Sequence, residues 1–329
     1  MSFHDWSGLQ NVATKQGIAH FLSKPILPSH LAPLFDEALK GSGILGRRLG
    51  GLSRIPDLAG KKLLLVEDNL LNQQIAKELL APTNATIVLA DNGEQAVYHA
   101  TQTDSVFDLI LMDIQMPVLD GVEATKAIRA YRHLGDLPII AMTAHAFEEE
   151  KQRCFDAGMN AHLSKPIVPA QLYATLAEWL KVDTYLDLSS DATKDVASEH
   201  TEGEMTLEDI HMMDLPQALL MLGDSRELLS ESLCLFANDY NDAASTLEGM
   251  ITTDAEAALR FAHTLKGLTA TFAMQSISQG FADIEKALSQ QDLTKARNRL
   301  DKSFKHEFDE MMALVKSFCD QSSQESLPS

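Results

Sequence analysis

Four short apolar runs, KLLLV, TIVLA, FDLILM and PIIAM, recur at intervals through residues 61–181. Each is too short for a helix and is bounded by polar or turn residues, so each predicts a strand. HLSKP supplies a fifth strand end, and the segments between predict helices over 70–81, 93–102, 121–132, 147–157 and 169–181. Five strands alternating with five helices imply a parallel sheet covered on both faces. Right-handed crossovers make the fold doubly wound and put its site at the carboxyl ends of the strands.

The pattern changes on either side. Residues 41–60 are glycine-rich, with Arg47, Arg48 and Arg54, and read as a flexible linker. Residues 183–204 are rich in Asp, Ser, Thr and Glu and nearly free of large apolar groups, which predicts an acidic linker over 182–204. Beyond it no strand pattern remains. Helical stretches over 206–222, 225–251, 254–272, 275–289 and 292–319 predict an all-α bundle over 205–320, followed by a disordered tail at 321–329. A multidomain chain results: a five-stranded α/β domain, then a helical bundle.

The formal net charge of −20 argues against a nucleic-acid surface, where a basic patch is expected. No apolar run approaches the ~20 residues needed to span a membrane. His4 and Asp5 argue against a signal peptide at the start. Cys154, Cys234 and Cys319 are far apart and form no C-x-x-C. That spacing excludes a disulfide framework or zinc site and fits a reducing, cytoplasmic setting.

The chemistry concentrates at predicted strand ends. Glu67 and Asp68 follow the first strand in LLLVEDN, and Asp113 ends the third in LILMDIQMP. In a parallel sheet these ends share one edge, so three carboxylates converge and repel unless protons or a cation neutralise them. Oxygen ligands without sulfur or imidazole suit Mg²⁺. Thr143 ends the fourth strand and Lys165 the fifth. Carboxylates, a divalent cation, a hydroxyl and a lysine are what a phosphoryl group needs, with one carboxylate as nucleophile.

In that order the set resembles the receiver domain of two-component response regulators across 61–181. The resemblance implies a flavodoxin-like fold in which Asp113 accepts phosphoryl from a phosphohistidine. Glu67, Asp68 and Asp113 then hold Mg²⁺ with the carbonyl of Gln115, which lies in the loop that continues into MPVLDG. Thr143 takes the part of the switch hydroxyl, Lys165 contacts the phosphate, and the Lys165–Pro166 bond is cis. His162 departs from the family, standing where receivers usually carry a switch Tyr or Phe; it reads as an ordinary partly exposed ring.

A second centre is FAHTLKGLTATF. At ~100° per residue, Phe261, Leu265, Leu268 and Phe272 share one face, and His263 points away from it. Lys266 and Gly267 lie three and four residues on, beside His263. The lysine could stabilise a phosphate on the imidazole, and the glycine leaves room for a docking partner. The pattern H-x-x-K-G, with LGDSRELLSESLCLF upstream and FADIEKAL downstream, resembles histidine phosphotransfer (HPt) domains. The resemblance implies a four-helix bundle with His263 as phosphoryl carrier. Ala273 and Met274 depart from the Gly-Ala often found there. His4, His99 and His306 lack this context and read as surface residues.

One repeat remains. GIAHFLSKPILPSHL from Gly17 matches GMNAHLSKPIVPAQL from Gly158, so Lys24 corresponds to Lys165 and Phe21 to His162. Residues 1–40 therefore resemble the end of another receiver, with a helix within 4–16, a strand at 20–22 and a helix at 29–40. They lack the acid pair, acceptor aspartate and switch threonine of a working one. A fragment of a longer hybrid sensor kinase, a misplaced start, or a tail that docks on a separately encoded remainder would each account for it.

The expected function is that of a phosphorelay intermediate. A sensor histidine kinase would load Asp113, and His263 would pass the phosphoryl to a downstream response regulator receiver. Nothing in the sequence resembles a kinase ATP-binding domain. The alternatives are a non-catalytic phosphate sink or interaction scaffold and, further off, a metal-dependent phosphatase.

Overall fold

A computed structural model of the chain describes residues 55–102, 106–143, 148–186 and 205–324. These all fall within one compact unit. The expected receiver remnant at 1–40 lies outside them, as do most of the two expected linkers.

The sheet forms as its sequence predicts. Strands β2 (Lys62–Val66), β3 (Thr86–Ala90), β4 (Leu109–Asp113), β5 (Ile139–Thr143) and β6 (Ala161–Ser164) lie parallel in the order β3-β2-β4-β5-β6. Numbered within the sheet this is 2-1-3-4-5, the doubly wound order whose site opens where the strand order reverses. The register pairs Val66 with Met112, Asp113 with Met142 and Thr143 with Ser164. All four strand ends therefore finish at one edge.

The crossover helices are α1 (Leu70–Leu80), α2 (Gly93–Thr101), α3 (Gly121–Arg129), α4 (Glu148–Asp156) and α5 (Pro169–Leu180). Their starts are written in the sequence. Asn69, Asn92 and Asp120 each accept a hydrogen bond from a backbone N–H of the first turn, and Pro169 opens α5. Alternate strand residues go to opposite faces. Leu63, Leu65, Leu111 and Met142 pack with α1 and α5, while Leu64, Val66, Ile110 and Ala141 pack with α2, α3 and α4.

Two boundaries differ from expectation. The segment after the first linker joins the fold: β1 (Ile55–Pro56) pairs antiparallel with β7 (Tyr185–Leu186), and Leu58 is fully buried. Residues 55–60 and 182–186 of the two expected linkers thus belong to the fold, and a two-residue strand carries too little pattern to be read. The last helix runs to Gln324, so residues 321–324 of the expected tail at 321–329 are helical.

The C-terminal part is all α. It comprises α6 (Leu215–Met221), α7 (Arg226–Asp239), α8 (Ala243–Thr253), α9 (Ala255–Thr271), α10 (Gln275–Ser289), α11 (Leu293–Arg299) and α12 (Lys302–Gln324). Three predicted long helices are broken. The stretch 206–222 splits because Asp214 caps a fresh helix with Pro216 in its first turn. The stretch 225–251 breaks at Tyr240–Asp242. The stretch 292–319 breaks at Leu300–Asp301, where Asp301 accepts from the Phe304 N–H at 2.8 Å.

One expectation is overturned outright. Cys234 on α7 and Cys319 on α12 form a disulfide across 85 residues of sequence, while Cys154 is free and buried. Spacing misses the pair because only the packing of α7 against α12 brings the two together. The reducing setting inferred from the cysteines loses its basis with it. No described helix is long and apolar enough to cross a membrane.

The two parts share a core. α1 packs against α7, and the cluster that contains Leu71, Ile75 and Leu79 runs on into Leu229, Leu233 and Phe236. Asn69 donates through Nδ2 to the Tyr240 hydroxyl at 2.6 Å.

Candidate functional site

Glu67 and Asp68 stand one and two residues past β2, and Asp113 is the last residue of β4. One carboxylate oxygen from each lies within 4.8 Å of the other two. Glu67 and Asp113 are each only 3% exposed. Lys165 bridges them, its Nζ lying 2.6 Å from Glu67 Oε2 and 2.7 Å from Asp113 Oδ2.

Three carboxylates against one ammonium leave an excess of buried negative charge. Burial, reinforced by Glu67, raises the Asp68 carboxyl to about 6. Burial also pushes Asp113 above the usual carboxylate range against the pull of Lys165, and Glu67 adds to that push. Burial alone would lower Lys165, but Asp113 and Glu67 reverse this and hold its ammonium charged. Such a cluster is relieved by a proton or by a hard cation.

Neighbours fix the acids in place. Asn72 donates to Glu67 Oε1 at 2.8 Å, and Gln73 donates to the Glu67 carbonyl at 2.6 Å. The Gln115 N–H donates to Asp113 Oδ1 at 3.3 Å. Gly121 starts α3 so close that a Cβ there would stand 2.1 Å from the Asp113 carbonyl oxygen. Thr143 is buried at the end of β5, and its carbonyl accepts from the Lys165 N–H at 2.6 Å. The Lys165–Pro166 bond is cis, as expected. His162 is half-buried, with its ring edge-to-face with Phe155 at 6.3 Å, and His306 is exposed.

His263 lies on α9 and is only 8% exposed, not the outward-projecting ring that its helical angle predicts. The receiver-like edge covers it. Glu67, Asp68, Asn72, Asp113, Gln115 and Lys165 line one side of a small cleft, and Arg260, His263, Thr264 and Gly267 line the other. A Cβ at Gly267 would meet nothing within 4 Å, so no close approach in this structure requires a glycine there.

The ring is oriented by a residue that sequence reasoning passed over. His263 Nδ1 lies 2.6 Å from Glu285 Oε1, and Lys266 donates to Glu285 Oε2 at 2.6 Å. Burial would raise the Glu285 carboxyl, but His263 and Lys266 bring it down to about 2. Lys266 adds its charge to the pull of His263, which favours the ionised Glu285 carboxylate. An ionised carboxylate only accepts, so Nδ1 carries the proton and Nε2 is the basic nitrogen. Burial lowers the His263 pKa against the pull of Glu285, which favours the neutral ring. A signal for Glu285 was present: an acid amid Phe281, Ile284 and Leu288 on the buried face of α10. Lys266 reaches this centre through Glu285.

Residues 63–177 match the family model of the response regulator receiver domain. That part of the chain is a receiver domain, similar to the receivers of hybrid histidine kinases. The sensor histidine kinase GacS of Pseudomonas protegens is 32% identical over 235 residues, which is 70% of this chain and 24% of that protein. The histidine kinase BarA of Escherichia coli K12 is 35% identical over 167 residues, 50% of this chain and 17% of that protein. The chain thus spans less than a quarter of these curated relatives. Among solved structures, the receiver domain of a Pseudomonas aeruginosa sensor histidine kinase, crystallised with magnesium in its active-site cleft, is 42% identical. The match covers 37% of this chain and 99% of that one, with a TM-score of 0.35.

Proposed function

We propose that the chain is a phosphorelay intermediate: Asp113 accepts a phosphoryl group from a sensor-kinase phosphohistidine, and His263 of an HPt-like helical domain takes it from Asp113 and passes it to a downstream response regulator receiver. The observation that carries this reading is the single cleft lined by the receiver acids and by His263. A carboxylate acceptor and an imidazole acceptor face each other across it.

The carboxylate set fits Mg²⁺, since three oxygen donors converge and their excess charge calls for a hard cation. Glu67, Asp68 and Asp113 would hold it with the Gln115 carbonyl, and it would supply charge neutralisation to the phosphoryl oxygens. Lys165 neutralises a second oxygen, and the Thr143 hydroxyl is the expected donor to a third. Phosphoryl transfer passes through a loose transition state, so positioning and charge do most of the work. The tautomer set by Glu285 leaves Nε2 as nucleophile without any prior proton transfer.

A phosphotransfer assay tests the reading. Labelled wild type, Asp113→Ala and His263→Gln are compared with Mg²⁺ and a donor kinase or small phosphodonor, scoring acid-labile against acid-stable, base-labile phosphate. Phosphohistidine in wild type, lost in both variants, supports the relay. An unchanged label pattern in His263→Gln would favour the phosphate sink or scaffold instead.

A further inference from the structure

Arg260 lies one helical turn before His263 on α9 and lines the acid cleft beside it. It also lines the wider cavity that opens from there toward Gln115, Arg153 and Glu285, so it stands where the cleft meets solvent. The other cation of α9 in this region, Lys266, is 12% exposed and bonded to the buried Glu285. Arg260 differs: its partner is Glu256 at 2.6 Å, one turn back and 82% exposed. An exposed i,i+4 pair of this kind contributes little and exchanges readily. A guanidinium so placed can leave it for a phosphoryl group, which it matches with two parallel N–H donors.

We propose that Arg260 is a catalytic residue of the transfer step, the cation by which the helical domain grips the phosphoryl group between Asp113 and His263. The proposal rests on the phosphotransfer reading above. In the step, the Nε2 lone pair of His263 forms the N–P bond as the P–O bond to Asp113 breaks. The Asp113 carboxylate leaves with the electron pair. The ring, still protonated at Nδ1, becomes cationic, and Glu285 faces that charge. Negative charge on the three phosphoryl oxygens is met by Lys165 from the receiver and by Arg260 from the opposite wall. Neither wall alone surrounds the group in flight.

The test uses the full chain with Mg²⁺, loaded at Asp113 by acetyl phosphate, and follows phosphohistidine formation per loaded Asp113. Arg260→Gln is expected to slow it roughly 10- to 100-fold. Arg260→Lys should recover part of the rate, while Glu256→Gln, which frees the arginine, transfers at least as fast as wild type. A merely structural ion pair would make the Arg260 and Glu256 variants behave alike. Equal rates for Arg260→Gln and wild type, or equal slowing in Arg260→Gln and Glu256→Gln, overturn the proposal. Absence of phosphohistidine in wild type itself overturns the phosphotransfer reading and the role of Arg260 with it.

Discussion

His263 Nδ1 and Glu285 Oε1 stand 2.6 Å apart on neighbouring helices, with Lys266 on the carboxylate's other oxygen. The carboxylate fixes the ring's tautomer and, in the proposed transfer, would compensate the charge that the ring gains on phosphorylation. Glu285→Gln keeps the shape and an accepting oxygen but removes that charge. A hydrogen bond to a charged group is worth about 1.5–3 kcal/mol, so phosphohistidine formation should fall roughly 10- to 100-fold. Rapid-quench transfer assays, with a circular dichroism check of folding, decide it. A wild-type rate in Glu285→Gln would show that the carboxylate only braces the helices.

The acid cluster makes cation binding depend on pH. Asp68 has its folded pKa raised to about 6 from 3.8, and Asp113 is pushed the same way. A raised acid binds its proton more tightly in the folded state, so it costs stability as pH rises from the unfolded value through about 6. The same proton must leave before a divalent cation enters. Mg²⁺ affinity should therefore rise with pH, about tenfold per unit for one displaced proton, and level off only above about 7, where Asp113 too is ionised. Asp68→Asn should stabilise the metal-free protein by about 1–2 kcal/mol near pH 7 and weaken the Mg²⁺ response. Melting curves with and without Mg²⁺ between pH 5 and 8 measure both effects.

The Cys234–Cys319 disulfide ties α7, the helix that packs on the receiver domain, to α12. A bond closing 85 residues removes freedom from the unfolded chain, and losses of about 2–4 kcal/mol are typical when such a bridge goes. Dithiothreitol should lower the melting temperature of the wild type and leave that of a Cys234→Ser, Cys319→Ser double variant unchanged. Identical melting with and without reductant would mean that the bond does not contribute in solution.

The sheet and its acids were legible because their signals are local. Each strand is one apolar run, and each site residue stands at the end of one. The helical breaks were partly legible: Asp214 before Leu215–Pro216 is a cap followed by an N-terminal proline, submerged in a longer apolar pattern. Glu285 carried only a weak signal, an acid on an apolar face 22 residues from its partner. The disulfide and the Asn69–Tyr240 bond carried none, because both depend on how distant helices pack. The angular position of His263 on α9 put it off the core stripe, yet the ring is buried and bonded to Glu285 of α10. That angle could not reveal that the receiver edge would cover the ring.

That cover has a kinetic consequence. Asp113 is 3% and His263 8% exposed, so in the proposed relay an outside phosphohistidine or receiver would reach either only when the two domains part. Tyr240 offers a way to shift this balance. Its hydroxyl accepts from Asn69 at 2.6 Å, while its ring stacks on Phe236 at 5.4 Å and on Phe261 at 6.1 Å. Tyr240→Phe preserves the stacking, and Asn69 can still cap α1. The lost bond is worth about 1 kcal/mol, roughly a fivefold shift toward the open form. In a His263→Gln background, where onward transfer is blocked, loading of Asp113 by a phosphohistidine-bearing donor domain should speed up by up to about that factor. With His263 present, transfer from Asp113 should slow, since it needs the closed form. Opposite changes in the two rates mark the helical domain as a competitor of the upstream donor for Asp113. If neither rate moves, opening is not what limits access.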